Sequence, residues 1–309
     1  MTQNIAHAPT LRPTRPLSAA ERDVFASHPC FSEEAHKRHG RIHLPVAPEC
    51  NVQCGYCVRK YDCVNESRPG VASVVLTPAE AVNRVRAVVG RNGNIGAVGI
   101  AGPGDPLANE ATFETLAAVG REFPELLLCV STNGLALPDR LDDLVACGVR
   151  SLTVTINAVM PETAAAVYAW VSGPDGERLK GEHAAERILA RQWAGLEAAV
   201  KAGLVVKVNS VYIPGVNDME LPAIAHVAGD LGAHLSNIIP VIPQARFQHV
   251  TPPTPVDVHA MRAECSQYLA QMSHCRQCRA DACGLLGEDK DMESEALLSA
   301  LGDDYEMAV

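Results

Sequence analysis

Aromatic side chains are scarce in this chain: five Phe, two Trp and six Tyr in 309 residues. Positive charge is scarce too, because 26 Lys and Arg face 36 Asp and Glu, for a formal charge of -10. A nucleic-acid surface needs a basic patch and stacking rings, so no nucleic-acid partner is expected. No apolar run reaches the length of a membrane span, and Met1 to Pro16 has no hydrophobic segment such as a signal peptide carries. The expectation is a cytoplasmic chain with no membrane partner. Also missing are an internal repeat, a low-complexity tract, and any second CxxC or His pair at zinc-finger distance from the cysteines near residue 50.

Eleven cysteines are present, in a large chain of α/β pattern, so they do not read as a disulfide framework. Reduced, metal-bound thiols fit better. The 47% hydrophobic content supplies one large core. Apolar runs from Arg41 to Ala47, Gly96 to Ala101, Leu126 to Ser131, Ser151 to Asn157, Leu204 to Ile213 and Ala233 to Ile242 read as six buried strands separated by helical stretches. Thr77, Pro78 and Glu80 hold the N-cap, first-turn and capping-box positions of one such helix. Strands alternating with helices give a parallel sheet. Six units are too few to close an eightfold barrel, so the expected α/β fold is an open partial (β/α)6 TIM-like barrel. Residues 1–40 read as an N-terminal extension, 41–250 as the barrel and 251–309 as a C-terminal extension.

The densest chemistry is CNVQCGYC from Cys50 to Cys57. Three thiolates so spaced on one loop can ligate three corners of a cubane cluster and leave the fourth iron open. A zinc knuckle is the plain alternative, and it lacks its fourth ligand nearby. In a parallel barrel the reacting groups gather at the C-terminal ends of strands, on faces that recur every second residue. Cys129, Ser131 and Asn133 share one such face, Thr153, Thr155 and Asn157 a second, and Lys207 and Asn209 a third. Singly, each polar residue has a plain use in a strand-to-helix turn; together they favour a rim that binds a polar ligand. The turn Gly102-Pro103-Gly104-Asp105-Pro106 follows the second strand and lets backbone approach a ligand closely.

Together these residues resemble the radical S-adenosylmethionine enzymes. That resemblance implies a [4Fe-4S] radical cluster on Cys50, Cys54 and Cys57, with S-adenosylmethionine chelated to its open iron. Tyr56 would lie near the adenine. Gly104 and Asp105, the latter where Glu is usual, would bind the methionine amino group, and Ser131, Asn133, Asn157 and Asn209 would line the cofactor site.

Eight cysteines remain. Cys147 and Cys265 lie in apparent helices and read as packing residues, whereas the CxxC of Cys275 and Cys278 reads as a metal or redox pair. The stretches HPCFSEEAH from His28, HLPVAPECNVQCGYCVRKYDCVNESRPG from His43, GIAGPGDPLAN from Gly99, LCVSTNGLALP from Leu128, VKVNSVYIPGVND from Val206 and CRQCRADACGLLGED from Cys275 are similar to the motifs of the NifB-type nitrogenase cofactor maturases. Gly55, Val58 and Cys283 depart from that pattern. The resemblance implies a carbide synthase that fuses two further [4Fe-4S] substrate clusters, with an added sulfur and a carbon from S-adenosylmethionine, into an [8Fe-9S-C] product. One S-adenosylmethionine would give its methyl to a cluster sulfide; a second would yield a 5'-deoxyadenosyl radical that takes a hydrogen from that methyl.

Carried over by position, His43, Cys63 and Cys129 would hold one substrate cluster and Cys30, Cys275 and Cys278 the other. Glu66 and Arg68 would be catalytic, contacting cluster or substrate, with a surface ion pair as the plain alternative. Partners would be an iron–sulfur cluster donor, an electron donor and a downstream carrier or scaffold protein, since no carrier domain follows the CRQC segment. Two other classes stay open. One is a different radical S-adenosylmethionine enzyme with auxiliary clusters, acting on a peptide or small molecule; the other is a non-enzymatic iron–sulfur or zinc protein. Iron and sulfide analysis separates the last, and product analysis the first.

Overall fold

The computed structural model describes residues 16–63, 72–91, 94–276 and 278–286. Glu66 and Arg68 lie outside the described residues. Helices α1 (Ala19–Ser27) and α2 (Glu33–His36) precede strands β1 (Gly40–His43) and β2 (Val52–Cys54). Helix α3 (Pro78–Arg91) leads to β3 (Ile95–Ile100), α4 (Glu110–Glu122) to β4 (Leu127–Thr132) and α5 (Leu137–Ala146) to β5 (Val149–Thr155). An excursion of α6 (Pro161–Val167), β6 (Tyr168–Ser172) and β7 (Arg178–Leu179) precedes α7 (Gly181–Lys201) and β8 (Val205–Tyr212). Helix α8 (Leu221–Asp230), β9 (Leu235–Pro240), α9 (Pro255–Cys265) and β10 (Cys283–Gly284) follow.

The main sheet has the order β10-β1-β3-β4-β5-β8-β9. Its six strands from β1 to β9 pair in parallel, and β10 adds to β1 antiparallel. These six are the strands expected from the apolar runs, and the sheet is an open, partial barrel with helices packed outside it. The pleat explains the patterning. On β4, Leu128 and Val130 are buried towards the helices, while Cys129 and Ser131 keep partial exposure on the other face. Helix α3 starts at the expected capping box, where the Glu80 amide donates to Thr77 Oγ1 at 3.3 Å and the Thr77 amide donates to Glu80 Oε2 at 2.8 Å. No helix of the described residues is long and apolar enough to cross a membrane.

Three features differ from the sequence-based expectation. Strand β1 ends at His43 rather than Ala47, although Leu44, Val46 and Ala47 stay fully buried. A second, three-stranded sheet β2-β6-β7 pairs the thiol loop with Tyr168–Ser172. Its one sequence signal is the β-branched and aromatic run VYAWVS from Val167, too short to outweigh its helical surroundings. The third concerns the chain ends, which read from the sequence only as extensions and here pack on the barrel. Val24 and Phe31 pack on Val205, Leu235 and Met272. Beside them the buried Glu21 carboxylate meets His234 Nε2 at 3.0 Å. At the other end, Arg41 donates to the carbonyls of Gly284 and Leu285 at 2.8 and 3.1 Å. Both described ends are held by polar contacts as well as by apolar packing, and hydrophobic periodicity does not register the polar ones.

Candidate active site

Strand β2 and its turn fold the three-thiol loop. The Gly55 amide donates to Val167 O at 2.7 Å, and Gln53 Nε2 donates to the carbonyls of Cys54 and Cys57 at 3.1 and 2.9 Å. At Gly55, one of the family departures, a Cβ would come 2.8 Å from the Phe247 ring, so this chain fills that space from outside the loop. Cys50, Cys54 and Cys57 line one pocket with Cys63, Gly104, Asp105, Ser131 and Asn133. Burial pushes the Cys50 thiol up to about 12 and the Cys54 thiol well above its ordinary range; Cys57 is raised as well, with Arg59 opposing. Binding a metal at these thiols would release their protons.

The Gly102 to Pro106 turn lies directly beneath this loop. A Cβ at residue 104 would overlap the Glu49 carbonyl, so glycine is required there. The Asp105 amide donates to Glu49 O at 2.8 Å. Its buried carboxylate accepts from Leu107 N at 3.0 Å, Thr132 Oγ1 at 2.9 Å and Asn133 N at 2.6 Å. Burial nevertheless raises its pKa to about 6, against the pull of those hydrogen bonds. Asp105 therefore ties the turn to the end of β4 and sets Asn133, whose amide donates to Asn51 Oδ1 at 2.7 Å and reaches to 3.8 Å from Cys50 Sγ. Tyr56 is fully buried and its hydroxyl accepts from Asn157 Nδ2 at 2.8 Å, while Asn157 Oδ1 accepts from Val211 N at 2.7 Å. Asn209 accepts from Asn237 at 3.3 Å. Asn157 and Asn209 thus act as struts behind the pocket, whereas Gly104, Asp105, Ser131 and Asn133 line it.

A second cavity adjoins the first. Cys30, His43, Cys129, Cys275 and Cys278 line it with Lys207, and Ala101 and Ser131 line both spaces. Three contacts draw distant segments to this place. His274 Nε2 donates to Pro29 O at 3.0 Å, His43 Nδ1 to Arg279 O at 3.0 Å, and Arg41 Nη2 to Cys278 Sγ at 2.9 Å. A carbonyl can only accept, so Nδ1 of His43 carries the proton and Nε2 the lone pair, the tautomer a metal ligand needs. Gly99 separates His43 from Cys129: a Cβ there would sit 2.7 Å from Cys129 Sγ and 3.5 Å from His43 Nε2. Burial raises Cys278 to about 12, with Arg41 opposing.

Of the residues expected to hold clusters, the structure brings His43 and Cys129 together with Cys30, Cys275 and Cys278, and places Cys63 on the wall of the first pocket. Among the described residues, no three His, Cys, Asp or Glu are placed to hold a single metal ion. A cubane instead spreads its protein ligands over separate corners. Cys265 and Cys283 are fully buried in the main core, and Cys147 points at Phe113 O at 3.6 Å, as packing residues do. Arg41 escaped sequence reasoning, although an arginine opening an apolar strand was a signal for a buried countercharge. Lys207 was placed on a polar face without a role.

The model of the radical SAM superfamily matches residues 44–228. The chain belongs to that superfamily. Membership implies a [4Fe-4S] cluster and S-adenosylmethionine, and the donor set fits: three thiols on one loop, in one pocket that Gly104 and Asp105 also line. The chain is 49% identical over 286 residues to the FeMo cofactor biosynthesis protein NifB of Klebsiella pneumoniae, covering 90% of this chain and 60% of that protein. With the protein of the same description from Azotobacter vinelandii it shares 44% identity over 299 residues, 93% of this chain and 59% of the other. It therefore spans about 60% of the length of these relatives. Solved structures agree on the fold of this radical SAM chain. A radical SAM methyltransferase from Sphaerobacter thermophilus aligns with a TM-score of 0.52 at 20% identity, over 75% of this chain and 64% of that one. SuiB from Streptococcus suis aligns with a TM-score of 0.54 at 12% identity, over 76% and 50%.

Proposed function

We propose that this chain is a NifB-type carbide synthase of nitrogenase cofactor biosynthesis. It would join two [4Fe-4S] substrate clusters, one further sulfur and one carbon from S-adenosylmethionine into an [8Fe-9S-C] product. The observation that carries this reading is the second cavity. Five potential iron ligands, Cys30, His43, Cys129, Cys275 and Cys278, share it, and it meets the radical pocket across Ala101 and Ser131. A radical enzyme with a single cluster has no use for so many thiols beside its radical pocket, and the product test below separates substrate clusters from auxiliary ones.

Cys50, Cys54 and Cys57 would hold the resident cluster. When bound, that cluster and S-adenosylmethionine supply a transferable methyl group and a carbon radical that abstracts hydrogen. The chain's own residues do the rest. Asp105 fixes the turn and Asn133, Gly104 lets the turn pack against the Glu49 carbonyl, and Tyr56, braced by Asn157, closes the wall beside the loop. Cys30, Cys275 and Cys278 would bind one substrate cluster, and His43, Cys129 and Cys63 the other, from the boundary between the two spaces. Three ligands apiece leave one iron of each substrate open to react. Glu66 and Arg68, near Cys63 in sequence, are proposed to contact the substrate. An electron donor, a cluster donor and a carrier for the product are the implied partners. The test is anaerobic incubation with S-adenosylmethionine and reductant. The reading expects both S-adenosylhomocysteine and 5'-deoxyadenosine, and a product that activates cofactor-deficient nitrogenase. Formation of 5'-deoxyadenosine alone, with no activation, would move the chain to another radical SAM chemistry.

A further inference from the structure

A second histidine faces the thiol-lined cavity in the opposite tautomer from His43. His28 is 2% exposed and lines that cavity. Its Nδ1 accepts the backbone N–H of Cys30 at 3.1 Å. An amide can only donate, so Nδ1 holds the lone pair and the neutral ring carries its proton on Nε2. Phe31 packs edge-on against the ring at 5.0 Å between centroids. That Nε2 is buried and has no hydrogen-bond partner among the described residues. A buried donor without an acceptor is unfavourable, and in a native site it asks for a missing partner.

We propose that His28 is a substrate-binding residue whose Nε2–H donates a hydrogen bond to a sulfur of the iron–sulfur substrate held by Cys30, Cys275 and Cys278. The inference rests on the function proposed above. The tautomer sets His28 apart from His43, because its Nδ1 is taken by the Cys30 amide and its Nε2 bears hydrogen rather than a lone pair. The cavity's chemistry selects the acceptor. Its described lining contains no Asp or Glu, and it includes the ammonium of Lys207, which lies 5.7 Å from the centre of the Phe31 ring. Such a space favours an anion. The sulfides and thiolate sulfurs of a cubane are negative acceptors that sit one bond outside the irons, where a donor flanking Cys30 would meet them. His43 and His28 therefore divide the labour: one offers a lone pair to iron, the other a proton to sulfur.

Two substitutions separate the ring's two contacts. Asn at this position keeps an acceptor near Nδ1 and removes the distal donor, whereas Gln keeps a donor near Nε2 and gives up the Cys30 contact. The full chain carrying Cys50→Ala, Cys54→Ala, Cys57→Ala and Cys63→Ala is reconstituted with iron and sulfide, so that the cluster on Cys30, Cys275 and Cys278 is read alone. Hydrogen bonds to cluster sulfur raise its reduction potential. The expected result for His28→Asn is a more negative midpoint potential, or loss of the cluster, together with loss of an exchangeable deuteron coupled to the reduced cluster. His28→Gln is expected to match its parent. Unchanged potential and coupling in His28→Asn, or an equal change in both variants, would overturn the donor role while leaving the proposed function intact. Failure of the parent to bind any cluster would overturn both.

Discussion

The two adjoining spaces hold their cysteines in opposite ways. The radical pocket takes its three thiols from eight consecutive residues, and backbone contacts within and just beyond that loop place them. The second cavity takes Cys30, Cys129 and the Cys275/Cys278 pair from segments far apart in the chain. A few single hydrogen bonds draw them together: His274 to Pro29, His43 to Arg279 and Arg41 to Cys278. The first site is robust because it is local. The second depends on the docking of both described ends, so it can be damaged from a distance while the first survives.

The largest effect expected is on the local site. Cys54→Ala removes one of three ligands from a cluster that has no spare, so 5'-deoxyadenosine formation should be abolished while roughly eight irons remain bound per chain, as two intact cubanes require. Persistence of deoxyadenosine at the level of the unsubstituted chain would show that the loop is not the radical site. Next comes the distant site. Converting Cys275 and Cys278 to Ala should remove about four irons per chain and stop S-adenosylhomocysteine formation, with Cys147→Ala as a control that leaves iron content alone. Amide exchange in α1 should stay protected in the double variant, because Val24, Phe31 and Glu21 anchor that helix without metal. Full exchange of α1 would mean that the cluster, not the protein contacts, docks the end.

Breaking an anchor instead of a ligand sharpens the contrast. His234→Leu removes the Nε2 partner of the buried Glu21 carboxylate, whose other oxygen caps α1 at the Ser18 amide, and should cost about 2 kcal/mol in the metal-free chain. It should also loosen α1 and lower iron retention on Cys30, yet leave radical-cluster iron in place. Iron analysis combined with thermal unfolding checks both halves. The smallest effect is confined to a pH window. Asp105 rises from an ordinary 3.8 to about 6 on folding, so the folded chain keeps that proton where the unfolded chain has lost it. Its contribution is full below about pH 4 and declines as pH rises through 6, by about 3 kcal/mol at most. Unfolding of metal-free Asp105→Asn across pH 4 to 7 should lack that decline relative to the unsubstituted chain; parallel curves would contradict the assignment.

The same contrast explains what was legible in the sequence. Six parallel strands could be read because each is a buried apolar run, and the α3 capping box because it is four residues long. Cys50, Cys54 and Cys57 were legible from spacing alone. The second cavity was not. Cys30 and Cys275 have no spacing relation, His43 reads as a core histidine, and only family resemblance grouped them. Asp105 was expected to meet a ligand's amine, and its oxygens prove to be engaged by Thr132, Asn133 and Leu107, contacts that depend on where β4 ends. The division of tautomers between His28 and His43 has no sequence signature, because backbone groups that only the fold brings near decide it.

The central claim is that the two spaces serve one reaction. It is tested most directly by S-adenosylmethionine labelled with 13C in its methyl group, supplied with reductant to the chain loaded with iron and sulfide. The account predicts that label from the methyl-donating S-adenosylmethionine stays with the iron–sulfur material, which then activates cofactor-deficient nitrogenase, while the S-adenosylmethionine cleaved to 5'-deoxyadenosine leaves its label in methionine. Recovery of all the label in small organic molecules or on a peptide, with none accompanying iron, would contradict it.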